Sequence, residues 1–257
     1  MKLAFLIAGC LCCGACGDRP HALGVTTNSV RITRALLEPS PADLAARVVD
    51  GREDFRADLV GDPTPERLVR LPRTNTIEVR DASGSRVGAV TTVHYITDFG
   101  TMTAADGAPR LVVYTYPNAD KGATYAVFNR SLHEETHWEE FPATSQFATA
   151  AWNGGPAVFY LQQDTLIARD PDGTLLTRLP VPEGNIFSRV MVLNLSDTRL
   201  ALVASGNGYT PFHMVAVYDA GKLVYHEVAD EHAFELGPSA GGFVVSTRSS
   251  RWAYRVP

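Results

Sequence analysis

One hairpin signature returns four times along this 257-residue chain, and its spacing limits the folds open to it. The copies are NTIEVRDASGSRVGAV from Asn75, TYAVFNRSLHEETHWEEFP from Thr124, TLIARDPDGTLLTRLPVP from Thr165 and HMVAVYDAGKLVYHEVA from His213. Each has two short arms of apolar or alternating residues about a polar turn, which is the pattern of paired antiparallel strands. In the third copy Asp170-Pro171-Asp172-Gly173 carries the turn chemistry. Pro171 presets φ, Asp172 can bond the local backbone, and Gly173 takes the left-handed conformation. The turn residues Asp81, Asn129, Asp170 and Asp219 stand 48, 41 and 49 residues apart. A period of about 46 residues marks an array of repeated supersecondary units.

Between the hairpins lie two further strand-like segments per copy. They are VTTVHYITDF with RLVVYTYP, SQFATAAW with PAVFYLQQ, SRVMVLNLS with RLALVAS, and HAFELGPS with GFVVSTR. The second member of each pair is nearly continuous in apolar residues, as a strand covered on both faces requires. Four strands per repeat resemble the blades of a β-propeller, with neither the WD pair nor the kelch signature of particular propeller families. The expected fold is therefore all-β and propeller-like with roughly five four-stranded blades, and a β-sandwich or other antiparallel sheet arrangement is the alternative. SRWAYRV at the end of the chain reads as a third strand lacking a fourth. The resemblance implies ring closure by the other terminus, where Gly24 to Ile32, GVTTNSVRI, is available. Downstream, Ser40-Pro41-Ala42-Asp43 signals the start of a short helix over 41–49.

All four cysteines, Cys10, Cys12, Cys13 and Cys16, fall in the first sixteen residues, so the body of the chain can hold neither a disulfide framework nor a Cys-ligated zinc. MKLAFLIAGCLCCGAC has one basic residue, an apolar run and small residues, the make-up of an export signal. It resembles the signals of bacterial lipoproteins, which end in a Leu-Ala-Gly-Cys-like box whose Cys becomes the lipidated first residue. Cys16 fits by signal length and by the polar Gly17-Asp18-Arg19-Pro20 that follows. Cys10, in Ile7-Ala8-Gly9-Cys10, is the alternative, with a better box and a shorter signal. The expected layout is a signal at 1–15, a lipidated tether at 16–60 and a propeller-like domain at 61–257. The resemblance implies anchoring to a membrane by several acyl chains, and Gly17 rather than Asp after Cys16 implies the outer membrane.

A net charge of -5 argues against nucleic-acid binding, which needs a clustered basic excess. Residues 1–90 carry 12 Lys/Arg against 11 Asp/Glu, residues 91–240 carry 8 against 17, and residues 241–257 carry 3 against none. If the termini meet, Arg248, Arg251 and Arg255 gather near Arg31 and Arg34 as an electrostatic contact surface, away from the acidic stretch Glu134 to Glu140.

Three strings resemble catalytic or metal-binding motifs. His133-Glu134-Glu135-Thr136-His137 fits H-E-x-x-H, whose resemblance to zinc hydrolases would make His133 and His137 ligands and Glu134 the general base. The string sits on the outer arm of a repeat hairpin, however, and in a strand residues four apart are separated by roughly 13 Å, too far to share a metal. Gly237-Pro238-Ser239-Ala240-Gly241 fits the nucleophile elbow, but a strand rather than a helix follows, and no Asp, Glu or His lies beyond Ser239. Asp170-Pro171-Asp172-Gly173 begins like a calcium loop and then has Val181 where the bidentate Glu belongs. Ser205-Gly206-Asn207-Gly208 lacks the Lys and helix of a phosphate loop, and Trp138, Trp152 and Trp252 read as packing residues. The functional expectation is an envelope lipoprotein acting as a non-catalytic binding or assembly module for a protein or glycan partner, with no cofactor. The alternatives are a hydrolase or lyase whose site is assembled from several blades, and a zinc hydrolase using HEETH.

Overall fold

In three of the four repeats a single side-chain oxygen organises the turn. Asp81 Oδ1 accepts from the backbone N–H groups of Ser83 and Ser85, both at 2.9 Å. Asn129 Oδ1 accepts from Ser131 and His133 at 2.9 and 3.1 Å, and Asp170 Oδ1 from Asp172 and Thr174 at 3.0 and 2.8 Å. The carboxylate that holds the third turn is thus that of Asp170, with Asp172 as a backbone donor. Each turn then passes through a left-handed residue: Gly84 at φ 84°, Leu132 at 60° and Gly173 at 82°. Leu132 occupies a position that favours glycine. Its side chain lies over Gly88 of the preceding repeat, where an added Cβ would stand 2.4 Å from Leu132 Cδ1. The fourth turn is shorter, Ala220-Gly221 with φ 46° and 78°, and leaves the Asp219 carboxylate to Arg199 at 2.9 Å.

The structure is a computed structural model that describes residues 30–38, 55–59, 64–71, 73–118, 122–140, 146–182, 187–206 and 211–257. These form twenty strands and, among the described residues, no helix. The first strand, β1 (Thr33–Glu38), belongs to the last sheet. Blade 1 is β2 (Phe55–Ala57), β3 (Glu66–Arg70), β4 (Thr76–Arg80) and β5 (Arg86–Thr91). Blade 2 is β6 (Ile96–Thr103), β7 (Pro109–Asn118), β8 (Gly122–Phe128) and β9 (Glu134–Glu140). Blade 3 is β10 (Ala148–Trp152), β11 (Gly155–Gln162), β12 (Thr165–Arg169) and β13 (Leu175–Pro180). Blade 4 is β14 (Phe187–Asn194), β15 (Arg199–Gly206), β16 (Phe212–Asp219) and β17 (Lys222–Ala229). Blade 5 is β18 (Ala233–Ser239), β19 (Gly242–Thr247), β20 (Arg251–Arg255) and, beside β20, β1. All pairings are antiparallel. This is the five-bladed, propeller-like all-β fold expected from the repeats.

Apolar clusters join consecutive blades. Leu68, Ile77 and Val79 of blade 1 pack with Phe99, Leu111 and Val113 of blade 2. Blades 2 and 3 share Tyr114, Tyr125, Tyr160 and Ile167. Phe159, Leu166 and Leu179 meet Val190, Leu202 and Tyr218 between blades 3 and 4. Blades 4 and 5 share Val203, Val215, Phe243 and Tyr254. Among the described residues no such cluster spans blades 5 and 1. The second strands β11 and β15 are buried on both faces, which explains their unbroken apolar runs.

Two boundaries differ from the sequence expectation. The closing strand is Thr33–Glu38, TRALLE, immediately beyond the expected GVTTNSVRI, of which residues 30–32 are described and are not strand. In β1 Thr33 pairs with Arg255 and Leu36 with Trp252. Likewise Val90 and Thr91 end β5, and the inner strand of blade 2 starts later, at Ile96. The signal, Cys10, Cys16 and the expected helix over 41–49 lie outside the described residues.

Candidate functional site

The inner strands β6, β10, β14 and β18 of blades 2 to 5 lie beside one another in that order, with their first residues at one end. Side chains on these strands alternate between neighbouring blades unless the register is broken. It is broken on three of the four. A bulge at Thr97 separates Ile96 from Asp98, one at Ser188 separates Phe187 from Arg189, and one at Phe234 separates Ala233 from Glu235. Bulges re-aim the residues beside them, and here the residue after each bulge is charged. Asp98, Arg189 and Glu235 are the charged residues of these four strands.

A cavity of about 300 Å³ opens toward this end, with Asp98, Gln146, Phe147, Thr149, Arg189 and Met191 in its lining. Asp98 is half-buried: its Oδ1 accepts from Phe99 N of its own strand at 3.0 Å and its Oδ2 from Phe147 N, just before β10 of the next blade, at 3.2 Å. Thr149 Oγ1 is committed to Thr101 O at 2.7 Å. Arg189 is half-buried as well, and among the described residues its guanidinium has no ion-pair or hydrogen-bond partner. Glu235 is exposed and accepts from Ser246 Oγ at 3.1 Å. None of these residues was singled out by sequence reasoning. The available signal was the recurrence of a charged third position in Ile96-Thr97-Asp98, Phe187-Ser188-Arg189 and Ala233-Phe234-Glu235.

A larger cavity of about 600 Å³ lies at the opposite strand ends between blades 4 and 5, and the Gly237-Pro238-Ser239-Ala240-Gly241 turn lines it. Its charged groups are matched to each other: Arg199 Nε donates to Asp219 Oδ2 at 2.9 Å, and Arg199 also reaches the Pro257 carbonyl. Ser239 ends β18 and leads directly into β19, with the strand rather than the helix of an elbow after it.

His133-Glu134-Glu135-Thr136-His137 runs from a turn into the outer strand β9. The His133 N–H serves the Asn129 turn, and His137 Nδ1 lies 2.8 Å from Glu134 Oε1. Glu135 is paired across the sheet with Arg110 at 2.6 Å. Among the described residues no group of three or more His, Cys, Asp and Glu is arranged to share a metal. Arg248 and Arg255 are exposed near the closing strand, as is Arg31, and Arg251 lies half-buried on β20. Arg34 does not belong with them. It turns into the blade 4–5 interface, where its Nη1 meets Glu227 Oε1 at 3.1 Å and its guanidinium lies 3.6 Å above the Trp252 ring.

Buried carboxylates brace two blade junctions in a similar way. Between blades 4 and 5, Glu227 takes hydrogen bonds from Tyr225 at 2.6 Å and from Tyr254. Between blades 2 and 3, Glu140 takes them from Tyr160 at 2.7 Å and Arg169 Nε at 2.8 Å. Burial, and then the neighbouring carboxylate, pushes the Tyr160 and Tyr254 phenols well above their usual range, so both stay protonated donors. These groups are consumed in holding blades together.

No family model matches the sequence, and no curated protein matches it. Solved structures do match in shape. BBS1N, in its crystal structure in complex with ARL6DN, is 11% identical over 74% of this chain and 60% of that one, with a TM-score of 0.56. The Neurospora crassa Pan2 WD40 domain is 12% identical over 76% and 60%, with a TM-score of 0.50. This chain thus spans about three-fifths of the length of each. At such identities the likeness establishes architecture alone, the propeller-like arrangement already visible in the sheet order.

Proposed function

We propose that this protein is a cell-envelope lipoprotein, anchored through acyl chains on Cys16, whose propeller-like domain is a non-catalytic binding module. The observation that carries the reading is the cavity beside the first residues of the inner strands. Register breaks on separate inner strands bring Asp98 and Arg189 to one cavity, while Glu140, Glu227, Tyr160, Tyr225 and Tyr254 are spent on blade junctions. BBS1N, of similar architecture, is described in complex with a second protein, which supports a protein partner here. The signal-like first fifteen residues and Gly17 support an outer-membrane address. Full-length protein expressed in a bacterial envelope tests this: Cys16→Ala abolishes fatty-acid labelling, and the native protein, cross-linked in place, captures a defined envelope partner. Labelling that survives in Cys16→Ala, or capture of nothing, refutes the corresponding half.

Arg248, Arg251 and Arg255 provide a second contact in this reading, facing an acidic partner or anionic headgroups. Charge reversal of Arg248 and Arg255 to Glu weakens capture at low salt and leaves it unchanged at high salt. A catalytic reading has one observation in its favour, the two carboxylates Asp98 and Glu235 at equivalent bulges. Hydrolysis of a glycan panel that is lost in Glu235→Gln would favour it over the binding module.

A further inference from the structure

We propose that the cavity at the far strand ends, between blades 4 and 5, binds a neutral saccharide through amide and hydroxyl side chains. The inference goes beyond the binding-module reading and uses none of the residues around Asp98. It begins from topology. In blades 1 to 4 a turn joins the third strand to the fourth, whereas in blade 5 the third and fourth strands, β20 and β1, come from distant parts of the chain. Blade 5 thus lacks that connecting turn, and the neighbouring corner between β18 and β19 is only Ala240-Gly241. Gly241 has φ 75°, and a Cβ built on it would meet nothing within 4 Å. An open volume of about 600 Å³ results between the β14–β15 and β18–β19 turns. That lies within the roughly 300–1,000 Å³ of ligand sites and has room for a mono- or disaccharide.

The lining selects the class of ligand. Its two charged side chains compensate each other: Arg199 Nε donates to Asp219 Oδ2 at 2.9 Å, and Thr198 Oγ1 donates to Oδ1 at 3.2 Å. An ion therefore meets no uncompensated charge of opposite sign, and specificity falls to the uncharged groups. The side chains of Asn194 and Ser239 have no hydrogen-bond partner among the described residues. Ser196 Oγ accepts from Arg199 N at 3.2 Å and keeps its O–H to donate. Amides and hydroxyls offer donors and acceptors side by side, and every sugar hydroxyl is likewise both. An apolar ligand would displace water from these groups and leave them unpaired, whereas a polyol replaces that water bond for bond. Leu195, Pro238 and Val256 add apolar surface for the C–H face of a sugar ring.

Calorimetric titration of the full-length protein with glucose, galactose, maltose and cellobiose, and with glucosamine and galacturonate as charged comparisons, tests the assignment. Saturable binding of at least one neutral sugar in the millimolar range or tighter is expected. Glucosamine and galacturonate should bind more weakly than the best neutral sugar by about fivefold or more. Ser239→Leu, which removes a hydroxyl and fills the cavity, and Asn194→Leu, which removes the amide, should each weaken binding by about tenfold or more. A charged sugar that binds as tightly as the best neutral one overturns the neutral class, and undiminished binding by Ser239→Leu moves the sugar out of this cavity. Ser239 is exposed, so that variant decides alone if Asn194→Leu fails to fold. Should no neutral sugar bind while envelope capture persists, the saccharide site is wrong and the binding module stands.

Discussion

Gly242 and Gly88 show how differently two glycines in strands can be constrained. A Cβ on Gly242 would stand 1.9 Å from the Tyr254 carbonyl oxygen and 3.0 Å from its carbon, so backbone must move and the β19–β20 pairing with it. A Cβ on Gly88 would meet the end of the Leu132 side chain, which can swing away. Gly242→Ala should therefore cost about 3 kcal/mol and Gly88→Ala less than about 1 kcal/mol, measured by denaturant unfolding; equal costs would contradict the geometry. His213 makes a pH prediction at the same scale. Its Nδ1 donates to the Glu231 carbonyl at 2.5 Å, which leaves Nε2 buried without a partner. Burial lowers its pKa, opposed by the Glu231 carbonyl and the Glu227 charge, with Arg34 adding to the lowering. The neutral form is the folded form, so the unfolded chain takes up the proton first. Stability from this residue is complete above the ordinary histidine value of 6.5 and is lost as pH falls through the lowered one. His213→Asn, which keeps a donor toward Glu231, should flatten the decline in Tm between about pH 6.5 and 5; an unchanged slope would assign that decline elsewhere. Gly242 and His213 are inconspicuous in the sequence, because the atoms that constrain them come from other segments, Tyr254 on β20 and Glu231 between β17 and β18.

The strands and hairpins were largely legible, since their turns rest on local chemistry: an Asx oxygen bonding two N–H groups nearby, and a glycine at the left-handed position. Leu132 escaped that logic because the space that admits it belongs to Gly88 in another blade. The bulges at Thr97, Ser188 and Phe234 escaped it too. A bulge is a relation between two strands, and the residues that make one look like ordinary strand, so the charges at Asp98, Arg189 and Glu235 were missed. HEETH shows the converse, a strong local motif whose meaning depends on its element. On β9 the chain rises about 3.3 Å per residue, so His133 and His137 are set too far apart to complete one tetrahedral site. Protein purified without chelator should contain no stoichiometric zinc, and His133→Ala should leave its metal content unchanged. One zinc per chain lost in that variant would require the strand to rearrange into a helix.

Ring closure was legible as a need and misplaced as a segment. SRWAYRV lacked a partner, yet which stretch near the amino terminus supplies it is decided by long-range pairing and by one inward-turned arginine. Apolar clusters join blades 1 to 2, 2 to 3, 3 to 4 and 4 to 5, and β1 holds the outer side of blade 5. Its tie to blade 4 is polar: Arg34 and Glu227, with side-chain exposures of 18% and 4%, form an ion pair capped by Trp252 on one side and by Tyr225 and Tyr254 on the other. Removing one member of a buried pair strands the other, a loss of about 3 kcal/mol, whereas an ion pair in solvent is worth less than about 1 kcal/mol. Arg34→Ala should thus lower Tm by roughly 6–12 °C in a chain of this size. Arg110→Ala, whose carboxylate partners Glu135 and Asp106 are 37% and 56% exposed, should change it by no more than about 3 °C. Arg34→Met with Glu227→Gln, which removes both charges and keeps volume, should recover much of the loss. If Arg34→Ala matches Arg110→Ala, closure of the ring depends on the β1–β20 hydrogen bonds alone. If the double variant is no better than the single, the cost lies in the lost stacking on Trp252 and not in a stranded carboxylate.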